Sequence, residues 1–289
     1  MEISGDYNVS GTGKGLVNMV EKMDANSEQG NFISANGIEI YYQEFGTGEP
    51  LVFLHGGMGT SQMCRPVTEV LAKHFRVLSP DSRGHGRTKN TVSELSYQLM
   101  ADDIAAFISA KNIDSPFVCG WSDGGQIAIE LGIRYPGLAR AFVISGAWKE
   151  FSEGYLQGLS NIGFEAPGRI DLNKMQEVRP EALEKWQMIH SSQGSEYWKD
   201  LLSAISGLWL TPVVYENEDF NRIIDPALIL LGDRDTVAPV EQVVELYRLI
   251  PNSELAIVPN ADHSLPGSER YVEIVLDFFT RQSAMQGEN

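Results

Sequence analysis

The sequence predicts an α/β fold in which helices flank a mostly parallel central sheet and a helical cap is inserted into that core. Short apolar runs typical of buried strands alternate along most of the chain with segments of helical periodicity. Between residues 147 and 222 this alternation stops, and helical spacing with many aromatic residues takes over. We therefore assign residues 31–146 and 223–289 to the core, 147–222 to the cap and 1–30 to an N-terminal extension.

The elements of the first half follow from apolar spacing and turn residues. Asn36-Gly37 separates the first two apolar runs, and Gly46-Thr47-Gly48 precedes the third. The predicted strands are 32–35, 39–44, 51–54, 76–79, 116–119 and 140–145, and the predicted helices are 97–111 and 123–134. Upstream, residues 16–23 resemble a short helix, and the glycine-rich stretch before them lacks the residues and the preceding strand of a phosphate-binding loop.

The second half begins with the aromatic-rich cap and then returns to the alternating pattern. The cap carries Trp148, Phe151, Tyr155, Phe164, Trp186, Tyr197, Trp198 and Trp209. We expect most of them to pack within the cap and one or two to line an apolar pocket, since ligand pockets are mostly apolar and aromatic. After the cap, strands are predicted at 223–231 and 255–258, and helices at 240–250 and 271–279.

Composition excludes several classes of partner. The chain has 22 basic and 39 acidic residues, and its net charge of −17 argues against nucleic acid or an anionic membrane as partner. No apolar stretch is long enough to span a bilayer, and the first residues lack a signal-peptide pattern. Cys64 and Cys119 give no disulfide framework, and no metal-site spacing is present. We expect a cytoplasmic protein that acts on a small molecule and needs no metal or cofactor.

The most informative motif lies directly after the fifth apolar run, where residues 120–125 are Gly-Trp-Ser-Asp-Gly-Gly. A Gly-x-Ser-x-Gly pattern between a strand and a helix predicts a sharp turn that exposes the serine hydroxyl as a nucleophile. Gly120 and Gly124 provide the positions where a Cβ would collide with the tightly turning chain. The motif therefore predicts Ser122 as the reacting residue.

A base and an acid follow later strands in the chain. A serine hydroxyl needs a base to take its proton, and His263 lies just after the predicted strand 255–258. Asp233 and Asp235 both follow the run 227–231, and a carboxylate there would orient the imidazole. We favour Asp235, because it lies further into the loop, and we expect Asp233 to bind loop N–H groups or to pair with Arg234.

A glycine-rich loop after the third strand, His55-Gly56-Gly57-Met58-Gly59, predicts an oxyanion hole. Glycines after a strand let the backbone approach a ligand closely. The N–H groups of Gly57 and Asp123 are the expected donors, one in this loop and one directly after the nucleophile. We interpret His55 as a ring that braces the loop rather than as a second base.

Together with the loop Asp81-Ser82-Arg83-Gly84-His85-Gly86, these motifs resemble the α/β-hydrolase superfamily over about residues 32–283. The resemblance is to the branch of cap-bearing esterases, meta-cleavage C–C hydrolases and proline iminopeptidases. Two positions depart from parts of that branch. Trp121 stands where the C–C hydrolases usually carry Asn, and Met58 stands where the iminopeptidases usually carry Pro.

The nucleophile elbow, the sharp turn at residues 120–125, is similar to that of the biphenyl hydrolase-like group. In that group the acidic residue after the nucleophile is associated with recognition of an α-amino group. Two interpretations of Asp123 therefore stay open. In the first, its negative charge stabilises the N-terminus of the following helix; in the second, its carboxylate faces the pocket and binds a cationic substrate group. With Asp123, the candidate substrate-binding residues are Trp121 and Met58.

The resemblance and the motifs imply a serine carboxylesterase that acts on small esters through an acyl-enzyme and needs no cofactor. Ser122 would attack, His263 would transfer the proton and Asp235 would orient His263. Alternatives on the same fold are an aminoacyl-ester hydrolase, a C–C hydrolase, an amidase or peptidase, and an acyltransferase. A non-enzymatic ligand-binding protein of this fold is an alternative of a different class.

Overall fold

The computed structural model describes residues 30–286, so the predicted helix at 16–23 and the glycine-rich stretch before it lie outside the described residues. The strands are β1 (Asn31–Ala35), β2 (Ile38–Phe45), β3 (Pro50–Leu54), β4 (Arg76–Pro80), β5 (Phe117–Trp121), β6 (Ala141–Ser145), β7 (Phe164–Ala166), β8 (Arg169–Ile170), β9 (Ala227–Gly232) and β10 (Ser253–Val258). The helices are α1 (Arg65–Leu71), α2 (Tyr97–Ala110), α3 (Asp123–Arg134), α4 (Glu153–Asn161), α5 (Leu172–Val178), α6 (Pro180–Ile189), α7 (Tyr197–Leu210), α8 (Asn217–Phe220), α9 (Val240–Leu249) and α10 (Glu269–Gln286). None of these helices is long and apolar enough to cross a membrane.

Eight strands form one sheet in the order β1-β2-β4-β3-β5-β6-β9-β10, which confirms the predicted fold class. β2 pairs antiparallel with both β1 and β4, and the remaining pairs from β4 across to β10 are parallel. The carboxyl ends of parallel strands meet at one edge, so the loops after β3, β5, β9 and β10 converge there.

The central strands are apolar throughout because helices cover both faces of the sheet. Successive side chains of a strand point to opposite faces. In β3, Val52 and Leu54 join the apolar cluster that includes α2 and α3, while Leu51 and Phe53 join the cluster that includes α1 and α10. This two-sided burial explains why the strands were recognisable as continuous apolar runs.

The predicted strand 223–231 is wrong in its first part, because β9 begins only at Ala227. Pro226 has no N–H to give to a strand ladder, and Asp225 accepts the N–H of Gly137 instead. Ile223 is fully buried, but it packs against the glycine side of α3 at Gly132 rather than in the sheet.

Two helices differ from the sequence analysis. The predicted helix 271–279 is longer at both ends in α10. The seven-residue α1 was not predicted, since it is too short for a clear apolar period. It tolerates Pro66 in its first turn, where a missing N–H removes no helical hydrogen bond.

The segment between β6 and β9 contains five helices, α4 to α8, as the helical spacing predicts. It also contains a two-stranded antiparallel hairpin, β7 with β8, that was not predicted because its strands have only three and two residues. The hairpin turns at Gly168, whose φ of 76° lies in the left-handed region.

One stretch of this segment is tied to the loop after β4. The Ser192 hydroxyl and the Gln193 side-chain amide both donate to the Gly86 carbonyl, at 3.0 and 2.9 Å. The Tyr197 hydroxyl donates to the Gly84 carbonyl at 2.9 Å. Residues 190–197 therefore anchor the inserted segment on the core.

Candidate active site

Ser122 occupies the turn between β5 and α3, with φ 57° and ψ −120°. A residue other than glycine in this region is strained, and such strain is common at functional sites. The Ser122 N–H donates to the Ser145 carbonyl at 2.8 Å, which holds the turn against β6. A Cβ on Gly120 would collide with the carbonyl of Gly124, so the turn requires glycine.

Ser122, His263 and Asp235 form a continuous chain of hydrogen bonds. His263 Nε2 lies 2.9 Å from Ser122 Oγ, and His263 Nδ1 lies 2.8 Å from Asp235 Oδ2. The other oxygen of Asp235 accepts the N–H groups of Val237 and Ala238, at 2.8 and 2.9 Å. The carboxylate is therefore fixed in place. It accepts a hydrogen bond from protonated Nδ1, so that Nε2 is the nitrogen that faces the serine hydroxyl.

The competing carboxylate, Asp233, does not contact this chain. Its Oδ2 lies 3.7 Å from Nε of Arg234, and its backbone N–H donates to the Val258 carbonyl. Asp262, beside the histidine, accepts the N–H of Ser264 at 2.8 Å. Of these three carboxylates, Asp235 bonds to His263, whereas Asp233 and Asp262 do not.

The environment of His263 favours its protonated form. Burial alone would lower the pKa of the imidazole, but the charge of Asp235 and the hydrogen bond to it outweigh that effect. The charge of Asp123 acts in the same direction. The pKa of His263 consequently lies above its ordinary value.

The two residues expected to supply the oxyanion donors lie close together near Ser122. Asp123 is the first residue of α3, so its N–H belongs to the first turn, whose N–H groups have no acceptor within the helix. Gly57 adjoins it closely, because a Cβ on Gly57 would collide with Oδ2 of Asp123 and with the Trp209 ring.

His55 lies behind this loop, and both of its ring nitrogens bond to backbone groups. Its Nδ1 lies 2.8 Å from the Gly56 carbonyl, and the Ser82 N–H donates to its Nε2 at 2.9 Å. Both ring nitrogens are thus used in bracing the loop, in agreement with the interpretation from the sequence.

Asp123 lines the cavity beside Ser122 and belongs to the first turn of α3. The Tyr97 hydroxyl donates to its Oδ1 at 2.9 Å, and Trp209 Nε1 lies 3.1 and 3.0 Å from its two oxygens. Burial raises the pKa of Asp123 to about 6, against the opposing effect of these donors. Neither partner was predictable from the sequence, since Tyr97 only begins a predicted helix and Trp209 is one of eight aromatic residues in the predicted cap.

A cavity of about 1160 Å³ lies between the core and the inserted segment, with Ser122 and His263 in its wall. Its aromatic lining consists of Trp121, Trp148, Tyr155, Trp186 and Trp209. Four of these belong to residues 147–222, so the expectation of one or two was too low. The Met58 side chain also lines the cavity, and Trp121 Nε1 donates to the His263 carbonyl at 2.7 Å.

Other nucleophilic and metal-binding groups contribute nothing to this site. Within residues 30–286, no group of three or more His, Cys, Asp or Glu side chains is arranged to hold a metal ion. Both cysteines are buried, and Cys119 Sγ lies 3.2 Å from the Tyr271 hydroxyl. Burial raises the pKa of Cys119 to about 12, so its thiolate is not populated at neutral pH.

Comparison with known proteins gives the same fold. A sequence profile described as the alpha/beta hydrolase fold matches residues 49–163. The 2-hydroxy-6-oxo-6-(2'-aminophenyl)hexa-2,4-dienoic acid hydrolase of Metapseudomonas resinovorans is 25% identical over 288 residues, covering 93% of this chain and 98% of that protein. The human (Homo sapiens) serine hydrolase BPHL is 25% identical over 240 residues, covering 81% of this chain and 79% of that protein. A thermophilic esterase from Thermogutta terrifontis has a TM-score of 0.70 at 21% identity, covering 88% of this chain and 99% of that one.

Proposed function

We propose that this chain, whose residues 49–163 match the alpha/beta hydrolase fold, is a serine hydrolase that cleaves small carboxylic esters through an acyl-enzyme. The observation that carries the proposal is the hydrogen-bonded chain from Ser122 through His263 to Asp235 at the wall of a large apolar cavity. A positioned base makes a serine hydroxyl nucleophilic, and the strained turn presents that hydroxyl to a bound substrate.

In this mechanism Ser122 Oγ attacks the ester carbonyl while His263 Nε2 takes the hydroxyl proton. Asp235 stabilises the imidazolium that forms. The N–H groups of Gly57 and Asp123 donate hydrogen bonds to the negatively charged tetrahedral oxygen. His263 then protonates the departing alcohol, and a water molecule activated by the same imidazole releases the acid and regenerates Ser122.

Among the alternatives, esters are favoured over C–C substrates by the cavity wall. Trp121 borders Ser122, and its indole N–H is already bonded to the His263 carbonyl. C–C hydrolases usually carry Asn at this position, and an Asn side chain offers polar atoms where this chain has an indole ring. The relative named as a dienoic acid hydrolase keeps the C–C reaction as an alternative to be tested.

Esters that carry an amino group are a second candidate, favoured by Asp123. Its carboxylate lies beside Gly57, where a negative charge opposes the oxyanion that must form there. A substrate ammonium bound to the carboxylate would neutralise this charge. A charge-assisted hydrogen bond of this kind is worth about 1.5–3 kcal/mol.

The decisive experiment measures turnover of matched substrates by the purified protein. The set is p-nitrophenyl butyrate, an aminoacyl p-nitrophenyl ester of similar size, the corresponding amide and a meta-cleavage dienoate. We expect the esters to be the best substrates and a fluorophosphonate to label Ser122. Turnover of the dienoate alone would replace the ester proposal with the C–C reaction, and the absence of both turnover and labelling would favour a binding protein.

Substitution of the nucleophile tests the covalent mechanism. Ser122→Ala removes the attacking oxygen, so we expect ester kcat to fall by roughly 10⁴- to 10⁶-fold, as for the nucleophile of a cooperating triad. Steady-state kinetics with p-nitrophenyl butyrate measures this change. Ester turnover that survives the substitution, in a folded variant, would rule out an acyl-enzyme on Ser122.

A further inference from the structure

Three consecutive peptide groups of the loop after β3 are each held by a different buried histidine. The Gly56 carbonyl lies 2.8 Å from Nδ1 of His55. The Met58 N–H donates to Nε2 of His85 at 3.2 Å. The Met58 carbonyl lies 3.3 Å from Nε2 of His190. These three imidazoles therefore fix the backbone on both sides of Gly57, whose N–H is a proposed oxyanion donor.

The remaining ring nitrogens assign the tautomers of two of these histidines. The Gly86 N–H donates to Nδ1 of His190 at 3.0 Å, so the proton of that ring is on Nε2 and is donated to the Met58 carbonyl. His85 accepts at Nε2, and its Nδ1 donates to the Arg83 carbonyl at 3.1 Å. Each ring thus donates once and accepts once.

Both rings stay neutral in the pH range where the protein would work. Burial lowers the pKa of His190 to about 4, although its bond to the Met58 carbonyl opposes the shift. Burial also lowers the pKa of His85 well below its ordinary value, and the neighbouring rings of His55 and His190 add to that effect. A neutral imidazole has the one donor and one acceptor that this arrangement uses.

The three histidines come from different parts of the molecule. His55 follows β3 and His85 follows β4, whereas His190 ends α6 in the inserted segment. Their rings are in contact, with centroids 5.1 Å apart for His55 and His85 and 5.9 Å apart for His85 and His190. The oxyanion loop is therefore braced partly from the segment that covers the cavity.

Met58 explains why the loop needs this bracing. Its φ is 54°, in the left-handed region that is unfavourable for a side chain of this kind, by about 1–2 kcal/mol. Without hydrogen bonds to the Met58 N–H and to the Met58 carbonyl, the two peptide groups that flank Met58 would relax. The N–H of the adjoining Gly57 would then turn away from the carbonyl of the substrate.

We propose that His190 is a positioning residue for the oxyanion hole, so that its hydrogen bond to the Met58 carbonyl, made from the inserted segment, keeps Gly57 aligned. This inference rests on the proposed hydrolase function. It gives His190 a part in catalysis that the other residues anchoring this segment do not share.

Two substitutions and one control test the proposal. His190→Phe keeps a ring of similar size and removes both hydrogen bonds. His190→Gln retains one donor and one acceptor at a spacing close to that of the imidazole. The control, Gln193→Ala, removes the bonds to the Gly86 and Thr88 carbonyls, at 2.9 and 3.2 Å, without touching Met58.

We expect His190→Phe to lower kcat for p-nitrophenyl butyrate by roughly 10- to 100-fold, somewhat less than the loss of an oxyanion donor itself. Its KM should stay within about threefold, because the interaction acts in the transition state. His190→Gln should stay within about threefold of the wild type in kcat, and so should Gln193→Ala even if its melting temperature falls. An unchanged kcat in His190→Phe, or an equal loss in Gln193→Ala, would overturn the proposal.

A second readout does not depend on turnover. Amide hydrogen exchange of residues 56–59 should be faster in His190→Phe than in the wild type and unchanged in His190→Gln. Equal exchange in all three proteins would overturn the proposal even if the esterase assay succeeds. If the wild type hydrolyses no ester, the proposed function fails on its own assay, while the exchange data still decide whether His190 orders the loop.

Discussion

At the scale of single residues, the choice between Asp233 and Asp235 is the sharpest distinction in the site. Asp235 holds Nδ1 of His263 at 2.8 Å, whereas Asp233 faces Arg234. We expect Asp235→Asn to lower kcat by roughly 10³-fold or more, because the amide no longer fixes the reactive tautomer. Asp233→Asn is the matched control and should change kcat far less. Steady-state kinetics of both variants would show the reverse order if the wrong acid has been assigned.

The pH dependence of the reaction follows from the environment of His263. Only the neutral imidazole can accept the serine proton, and the pKa of this histidine is raised by Asp235 and Asp123 against the effect of burial. Activity is therefore lost as the pH falls through that raised pKa. We expect kcat/KM for an uncharged ester to rise with pH through an apparent pKa above ~6.5, the ordinary value for histidine.

Removal of one of the charges that raise the pKa of His263 provides the control for this profile. In Asp123→Asn the imidazolium loses a neighbouring negative charge, so the apparent pKa should fall. A profile for p-nitrophenyl butyrate that is flat across the neutral range, or that shifts upward in this variant, would contradict the assignment of His263 as the base.

Asp123 also predicts a pH window for amino-bearing substrates. Burial raises the pKa of Asp123 to about 6, so its carboxylate is charged only above that pH. An α-amino group loses its proton near pH ~8, so preference for aminoacyl esters should be greatest between these two values. Asp123→Asn keeps the backbone donor and should reduce the preference by roughly 10-fold or more in kcat/KM. Equal kcat/KM of the wild type for aminoacyl esters and for esters without an amino group would contradict this role of Asp123.

At the scale of elements, a buried ion pair joins the loop after β4 to α2. Arg83 donates to Asp103 through Nε at 2.7 Å and through Nη2 at 2.5 Å, and both side chains are 3% exposed. Asn36 also donates to Asp103, at 2.7 Å. The pair fixes the start of the same loop that carries His85 and Gly86.

Breaking this pair should be strongly destabilising. We expect Arg83→Met to lower the free energy of unfolding by about 3–5 kcal/mol, because it leaves the Asp103 carboxylate buried without its cation. Arg83→Met combined with Asp103→Leu should recover much of that loss, since no unpaired charge stays inside. Chemical denaturation measures both proteins, and equal stability of the single variant and the wild type would contradict the importance of the pair.

How much the sequence predicts depends on whether a feature is local or depends on packing between elements. The proximity of Ser122, Asp235 and His263 was predictable, because each follows an apolar run and parallel strands end at one edge of the sheet. The bonds from Tyr97 and Trp209 to Asp123 were not, since they depend on how α2 and α7 dock over the elbow. No spacing in the sequence records that docking.

The strand boundaries show the same division. β3, β5 and β6 are recognisable because both of their faces are buried, which leaves continuous apolar runs. Residues 223 and 224 are also apolar, but Ile223 is buried by α3 instead of by strand neighbours. A buried residue and a strand residue are indistinguishable by hydrophobicity alone.

At the scale of the whole molecule, two features have different origins. The net charge of −17 is a property of composition, and on that ground alone we expect neither nucleic acid nor an anionic membrane as a partner. The position of His190 against Met58 is a property of the folded chain, because these residues are 132 positions apart. The first could be read from the sequence, and the second required the folded structure.

The pairing of β6 with β9 has a consequence for how such proteins diversify. These strands are adjacent and parallel, although the whole inserted segment lies between them in the chain. Ser122, Asp235 and His263 all lie outside that segment, while most aromatic walls of the cavity lie within it. Mutations confined to the segment between β6 and β9 can therefore change which substrates enter the cavity. The residues proposed to carry out the reaction stay unchanged. His190 sets a limit on that freedom, because a replacement segment must still bring a donor to Met58.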